Sequence, residues 1–393
     1  MNRWRRALAA AAALSISGLA PPEAWAMQAD DAPLARKIAF EDLAGWADDD
    51  HAAALAAFLR FCGRPEPATG AFGIAGAALL DLCNTGHAAM DGGPDAARRF
   101  FEAEFVPVAL AAPGFVTGYF EPELAGSRVR TREFQVPLLR APQGLERVDA
   151  GNRPDGWDDG LSHGRRTPAG LAPLPDRGAI MDGALAGEGL ELVWLADPLD
   201  AFFVHVQGSA RIRLPDGDIL RVGYAGKTGH AYTSIARVLV ERGEGAPEDF
   251  TMDGLRAWLR AHPAALDPLL RQNRSYIFFR EVGETGADQG PVGAAGLPLV
   301  PGRSLAVDSQ LHTYGTPIFI SADLAAAGLG DRPFRRLMVA DDTGSAIRGP
   351  GRGDLFIGSG TGAGDVAGHI RHRAEVTLLV PRSAAGPLLE WRG

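Results

Sequence analysis

Lysine is almost missing from this chain of 393 residues: Lys37 and Lys227 are the only two among 39 Lys and Arg residues. No basic run follows Arg3, Arg5 and Arg6, and the formal net charge is −9. A nucleic-acid binder carries a basic stripe, so nucleic acid is excluded as a partner. Cysteine is equally scarce. With Cys62 and Cys83 alone, a C-x-x-C redox centre and a four-cysteine zinc site are excluded by count. The nine histidines never form H-E-x-x-H. His369 and His372 come nearest to a ligand pair, but Arg371 and Arg373 would set two cations beside any metal there. No metal and no cofactor are therefore expected. Gly358-Ser359-Gly360 and Gly362-Ala363-Gly364 look like pieces of a phosphate loop. No G-K-[ST] closes them and no helix is read after them, so that reading fails on context. No G-x-S-x-G occurs either, which removes a serine nucleophile elbow.

Long apolar runs are missing except at the start. Arg3, Arg5 and Arg6 precede the apolar stretch Ala7 to Leu19, which is shorter than the roughly 18–20 residues that span a bilayer. Ala24-Trp25-Ala26 gives a small-x-small cleavage pattern. Residues 1–26 are expected to be a secretory signal cut after Ala26, and the mature chain to be exported to the periplasm. Export places both cysteines in an oxidising compartment, so a Cys62–Cys83 disulfide is expected, with two buried thiols as the alternative.

Glycine and proline, by contrast, are abundant. The 50 Gly and 28 Pro make up about a fifth of the chain, against roughly 12% in average usage. Both break helix interiors, so the chain is expected to be mainly β with an α-helical N-terminal part. Helices are read with Leu55, Phe58 and Leu59 on one face, around 75–83, and after Pro94 with Asp95 as cap. Strands are read at 115–120, 201–206, 210–214 and 219–224, and again at 276–280, 304–308, 317–320, 337–340 and 376–380. Residues 141–190 read as long loops. Helices are expected at 234–241 and 252–260.

Chemistry is left to carboxylates in the last third. Asp308 ends a strand, Asp341 and Asp342 follow another, and Asp354 sits in Gly353-Asp354-Leu355-Phe356. Nine glycines lie in the 28 residues from Asp341 to Gly368, a composition that suits backbone packed closely against a ligand. A buried Asp, or one beside a second carboxylate, stays protonated near neutral pH and serves as a general acid. The competing reading is that each Asp caps a surface turn. Asp342-Thr343-Gly344-Ser345 also resembles an aspartic-protease loop, but no second D-T-G or D-S-G supplies the partner that such a dyad needs.

Several long motifs in order resemble the membrane-bound lytic transglycosylase A family. They are Gly118-Tyr119-Phe120-Glu121-Pro122-Glu123 and Phe203-Val204-His205-Val206-Gln207-Gly208-Ser209-Ala210. Gly223-Tyr224-Ala225-Gly226-Lys227-Thr228-Gly229-His230 and Gln272-Asn273-Arg274-Ser275-Tyr276 continue the series. The terminal three-aspartate (3D) module is matched by Asp308, by Asp342-Thr343-Gly344-Ser345-Ala346-Ile347-Arg348-Gly349 and by Gly353-Asp354-Leu355-Phe356. The likeness runs from about residue 115 to 381.

The resemblance implies a double-psi β-barrel catalytic domain, a second inserted β domain, and a groove between them that binds the glycan strands of peptidoglycan. The expected divisions are 1–26 for the signal, 27–121 for the N-terminal helices and first barrel segment, 122–279 for the inserted domain and 280–393 for the C-terminal barrel segment. The implied activity is cleavage of the β-1,4 bond between N-acetylmuramic acid and N-acetylglucosamine, leaving a 1,6-anhydro end. Asp354 would be the acid/base, with Asp342 and Asp308 in support. Tyr119, Glu121, Gln207, Gly208, Ser209, Tyr224, Gly226 and Lys227 are the implied substrate-binding residues. A hydrolase on the same glycan and a non-catalytic wall-binding protein are the alternatives. The lipid-attachment cysteine of many relatives has no counterpart here. Association with the outer membrane or with a wall-synthesis complex stays open, and a monomer is expected.

Overall fold

The computed structural model describes residues 35–111, 113–283, 289–329 and 333–384. The expected signal segment lies outside them. The chain opens with β1 (Ala35–Lys37), α1 (His51–Leu59), α2 (Gly76–Leu80), α3 (Cys83–Asp91) and α4 (Pro94–Glu104), then β2 (Phe105–Leu110) and β3 (Gly114–Glu121). Asp50 caps α1 by accepting from Ala53 N. At α4 the cap is Gly93 with Pro94 in the first turn, not Asp95. Cys62, just past α1, is joined to Cys83 at the start of α3 as a disulfide.

The middle of the chain forms β4 (Glu123–Ser127), β5 (Val136–Leu139), β6 (Leu145–Arg147), β7 (His163–Thr167), β8 (Gly170–Ala172), α5 (Arg177–Met181) and β9 (Glu191–Leu195). It continues with α6 (Pro198–Gln207), β10 (Ser209–Arg213), β11 (Ile219–Lys227), α7 (Ile235–Glu241), α8 (Met252–Ala261), α9 (Leu266–Leu270) and β12 (Ile277–Glu281). Two expectations are corrected here. Residues 201–206 are helical, not a strand. Asp197 caps α6 by accepting from Leu199 N, Pro198 opens it, and Gly208 ends it in the left-handed region at φ +79. The run is apolar on every side because the helix is buried nearly all round, a pattern that periodicity cannot tell from a buried strand. Residues 141–190 are not one long loop. They hold α5 and the small antiparallel sheet β6-β7-β8. The remaining strands of this part make a six-stranded sheet in the order β12-β11-β10-β4-β9-β5.

The last part supplies β13 (Ser304–Val307), β14 (Pro317–Ala322), β15 (Phe334–Asp342), β16 (Arg352–Ser359), α10 (Thr361–Ala367) and β17 (Arg371–Pro381). Thus a helix does follow Gly360, and residues 352–359 form a strand that the glycine content had hidden. The eight-stranded sheet runs β1-β2-β17-β14-β15-β13-β16-β3, and β17 also pairs with β3. The pairings of β3, β16, β13, β15, β14 and β17 therefore return on themselves. Strand alternation divides the core. Leu337, Val339, Phe319 and Leu378 face the helices, packing with Phe58, Phe101 and Trp46. Met338, Ala340, Ile318, Ile320 and Val376 pack on the other face with Val116, Leu305 and Leu355.

Candidate active site

Strand register sets three polar side chains in one row. Ala306 on β13 lies opposite Asp342 of β15 on one side and Asp354 of β16 on the other. Asp354 in turn lies opposite Thr117 of β3. Thr117 Oγ1 donates to Asp354 Oδ1 at 2.5 Å. Arg352 Nη2 donates to that same hydroxyl at 2.6 Å. A hydroxyl has one proton to give, so the arginine contact directs it toward the carboxylate. Asp354 keeps part of its surface open, but loss of hydration raises its pKa to about 6, opposed by Arg352 and Thr117 and assisted by the Asp342 charge. An ordinary aspartate titrates near 3.9.

Asp342 accepts from Tyr119 Oη at 2.8 Å and from Ala294 N at 2.9 Å. Burial raises its pKa while these two donors hold it down. Tyr119 is buried, packs on Phe356 with ring centroids 5.3 Å apart, and is held well above its usual pKa by burial and the nearby aspartates. It stays a donor. Asp342 is thus a fixed negative group within electrostatic reach of Asp354.

Asp308, expected in support of Asp354, directly follows β13. It is buried and accepts from Gln310 N (3.1 Å), Gly349 N (2.9 Å) and Arg348 Nη1 (3.4 Å). Those bonds fasten the loop that leads into β16 and so position Asp354. Glu121 is tied into the strands around the site. It is fully buried and paired with Arg221 through Nε–Oε1 and Nη2–Oε2 contacts of 2.8 Å each, and Ser359 Oγ donates to it at 2.7 Å. It joins β3, β11 and β16. Ser209 is buried and pairs with Gly223 across β10 and β11. Gln207 accepts from Phe120 N at 3.0 Å, beside Tyr119. Gly208 turns the chain from α6 into β10. Gly226 sits at a bulge of β11. Tyr224 is 47% exposed, and Lys227 Nζ reaches Ser345 Oγ at 2.9 Å.

Sequence reasoning gave no role to Thr117, Arg352 or Ser304. The first had a readable signal: Thr117 and Tyr119 are two apart on one strand and share a face. Among the described residues, no group of three His, Cys, Asp or Glu side chains converges as a metal site would require. A cavity of about 1050 Å³ lined by Arg36, Phe319, Arg335, Arg373 and Thr377 lies apart from the aspartates.

Comparison with known proteins gives the family. Residues 115–280 match the MltA specific insert domain and residues 303–380 the 3D domain. The crystal structure of a membrane-bound lytic murein transglycosylase from Agrobacterium tumefaciens is 44% identical with a TM-score of 0.83, covering 90% of this chain and 99% of that one. This chain belongs to the membrane-bound lytic murein transglycosylase A family. The family member from Escherichia coli K12 is 34% identical over 275 residues, 69% of this chain and 66% of the relative. The chain therefore spans just under two thirds of that relative's length. A structure of E. coli MltA with bound chitohexaose is 27% identical, with a TM-score of 0.63, and covers 86% of this chain and 90% of that one. Among the described residues no helix is long and apolar enough to cross a membrane.

Proposed function

We propose that this chain is an exported, monomeric lytic transglycosylase of peptidoglycan with Asp354 as its single acid/base. The observation that carries the reading is the Asp354 environment: a carboxyl raised to about 6, one oxygen fixed by Thr117, beside an anchored Asp342. Such a group is partly protonated near neutral pH and ready to act as a general acid. The cycle of six strands corresponds on this reading to a double-psi β-barrel, and the β4–β12 region to the inserted domain. The glycan runs between them.

Asp354 donates its proton to the glycosidic oxygen as the bond to the muramic anomeric carbon breaks. The carboxylate left behind then takes the proton of the same sugar's C6 hydroxyl, whose oxygen bonds to the anomeric carbon. The acid is regenerated, a 1,6-anhydro ring forms and no water is consumed. One carboxylate suffices because the nucleophile belongs to the substrate, unlike the two-carboxylate schemes of most glycosidases. Asp342 adds negative charge that favours the oxocarbenium-like transition state and keeps Asp354 protonated. The chitohexaose bound to the E. coli relative supports a glycan as the ligand, and the membrane-bound names of the relatives support a wall-facing location.

Digestion of purified sacculi with product mass analysis tests this. Anhydro ends, lighter by one water than reducing ends, are expected from the wild type and none from Asp354→Asn. Reducing muramic ends would identify a hydrolase. Undiminished cleavage by Asp354→Asn would remove Asp354 from the chemistry.

A further inference from the structure

Three cations from three separate elements converge beside Tyr224. Lys227, the last residue of β11, reaches Ser345 in the loop between β15 and β16. Arg348 belongs to that same loop, with its side chain 52% exposed. Arg147 ends β6 directly opposite His163 of β7. Two contacts pin this small sheet against the end of β11. Leu145 fills the space that a side chain at Gly226 would need, and Ser162 N donates to Gly229 O at 3.1 Å. Mutual repulsion is felt within the group, since Arg348 and Arg147 add to burial in pulling the Lys227 pKa down. His163, pushed to about 4 by burial and by Lys227 and Arg147, is neutral and contributes no charge.

The counter-charge is small. Asp308 approaches Arg348 at 3.4 Å, and among the described residues no carboxylate ion-pairs with Arg147 or Lys227. In a chain of net charge −9, three gathered cations with one facing carboxylate need an outside anion. An uncharged glycan offers none. Murein does, because the lactyl group of N-acetylmuramic acid carries a peptide rich in carboxylates.

We propose that Arg147, Lys227 and Arg348 form a carboxylate-binding lip that holds the acidic stem peptide of murein. This rests on the murein reading above. Arg147 and Arg348 present planar forks that fit a carboxylate with two hydrogen bonds, and Lys227 adds a point charge whose remaining donors are not used by Ser345. The exposed face of Tyr224 supplies apolar contact beside them.

The test compares murein bearing its peptides with the same glycan stripped by an N-acetylmuramoyl-L-alanine amidase. The readout is the ratio of kcat/KM on the two substrates for the wild type, Arg147→Ala, Arg147→Glu and Arg147→Lys. Arg147 is exposed and, among the described residues, its side chain has no ion-pair partner, so these variants keep the fold. The ratio is expected to fall by up to roughly fivefold in Arg147→Ala, the range of exposed ion pairs. It falls further in Arg147→Glu and recovers in Arg147→Lys. The change sits in KM and fades at high salt. An unchanged ratio, or an equal loss on both substrates, overturns the lip. Failure of the wild type to cleave either substrate overturns the murein reading itself.

Discussion

Asp341 and Asp342 are neighbours on β15 with entirely separate partners. Asp342 is held by Tyr119 and Ala294 beside Asp354. Asp341 is fully buried, accepts from Ser304 Oγ and lies 3.5 Å from Arg60 at the end of α1. Asp342 pairs with Ala306 while Asp341 falls at the register shift. The two residues thus face different surroundings, Asp342 toward Tyr119 and Asp341 toward Arg60 behind it.

Asp341 carries a consequence for stability. Burial raises its pKa to about 8 despite Ser304 and Arg60. The folded protein therefore holds this proton more tightly than the unfolded chain, where the group titrates near 3.9. Its contribution to folding is complete below about pH 4 and is lost progressively as pH rises to about 8. Asp341→Asn removes that slope while keeping the shape. Denaturant unfolding at about pH 4, 6 and 8 is expected to show the wild type losing about 2–5 kcal/mol relative to the variant across this window. Parallel pH dependences in the two proteins would contradict the assignment.

Asp354 predicts the pH profile of activity. It must start protonated, so kcat/KM should decline as pH rises through about 6, the pKa set mainly by burial. Arg352 favours the ionised form, so Arg352→Gln should shift that alkaline limb upward by roughly one unit. A limb that stays in place in Arg352→Gln would mean that another group controls it.

Much of this was legible before any coordinates. Apolar runs and turn residues marked β10, β11, β14 and β15, and apolar residues at helical spacing marked α1 and α7. The motifs named Asp354, Asp342 and Tyr119. What stayed hidden was context. Residues 201–206 read as a strand because a helix buried all round loses its period. β16 was masked by glycines that allow close packing: a Cβ at Gly353 would lie 3.0 Å from Leu305. The burial of Glu121 could not be read because its partners, Arg221 and Ser359, are 100 and 238 positions away. The donors that hold Asp308 were not legible, because sequence shows that a carboxylate is present and not which groups bond to it.

Thr117 separates orientation from charge. Thr117→Val preserves the β-branched shape that suits a strand but removes the donor to Asp354 Oδ1. The carboxyl is then free to rotate, and its pKa rises because a bond to the charged form is lost. A fall in kcat of roughly ten- to a hundredfold is expected, with KM little changed, as for a misplaced reacting group. Thr117→Ser, which keeps the hydroxyl, should recover most of it. If Val and Ser variants behave alike, the hydrogen bond has no catalytic role.

Gly229 tests how the small sheet is seated. Its φ of +88 is in the left-handed region, and a Cβ there would lie 2.5 Å from His163 N and 2.8 Å from His163 O. These are backbone atoms, so no side-chain rotation relieves the clash. Gly229→Ala must either shift β7 or distort the end of β11, which carries Lys227. A loss of about 1–3 kcal/mol is expected from the backbone strain, read as a lower Tm. Because β6 moves with β7, selectivity for peptide-bearing over stripped murein should fall in the same variant while Asp354, supported by β3 and β13, keeps its pH limb. Gly243→Ala is the control. It has a similar φ of +78 with nothing within 4 Å of the added carbon, so it should lower Tm through strain alone and leave the selectivity ratio intact. An equal change of selectivity in both variants would show that the ratio reports general loosening and not the seating of β6.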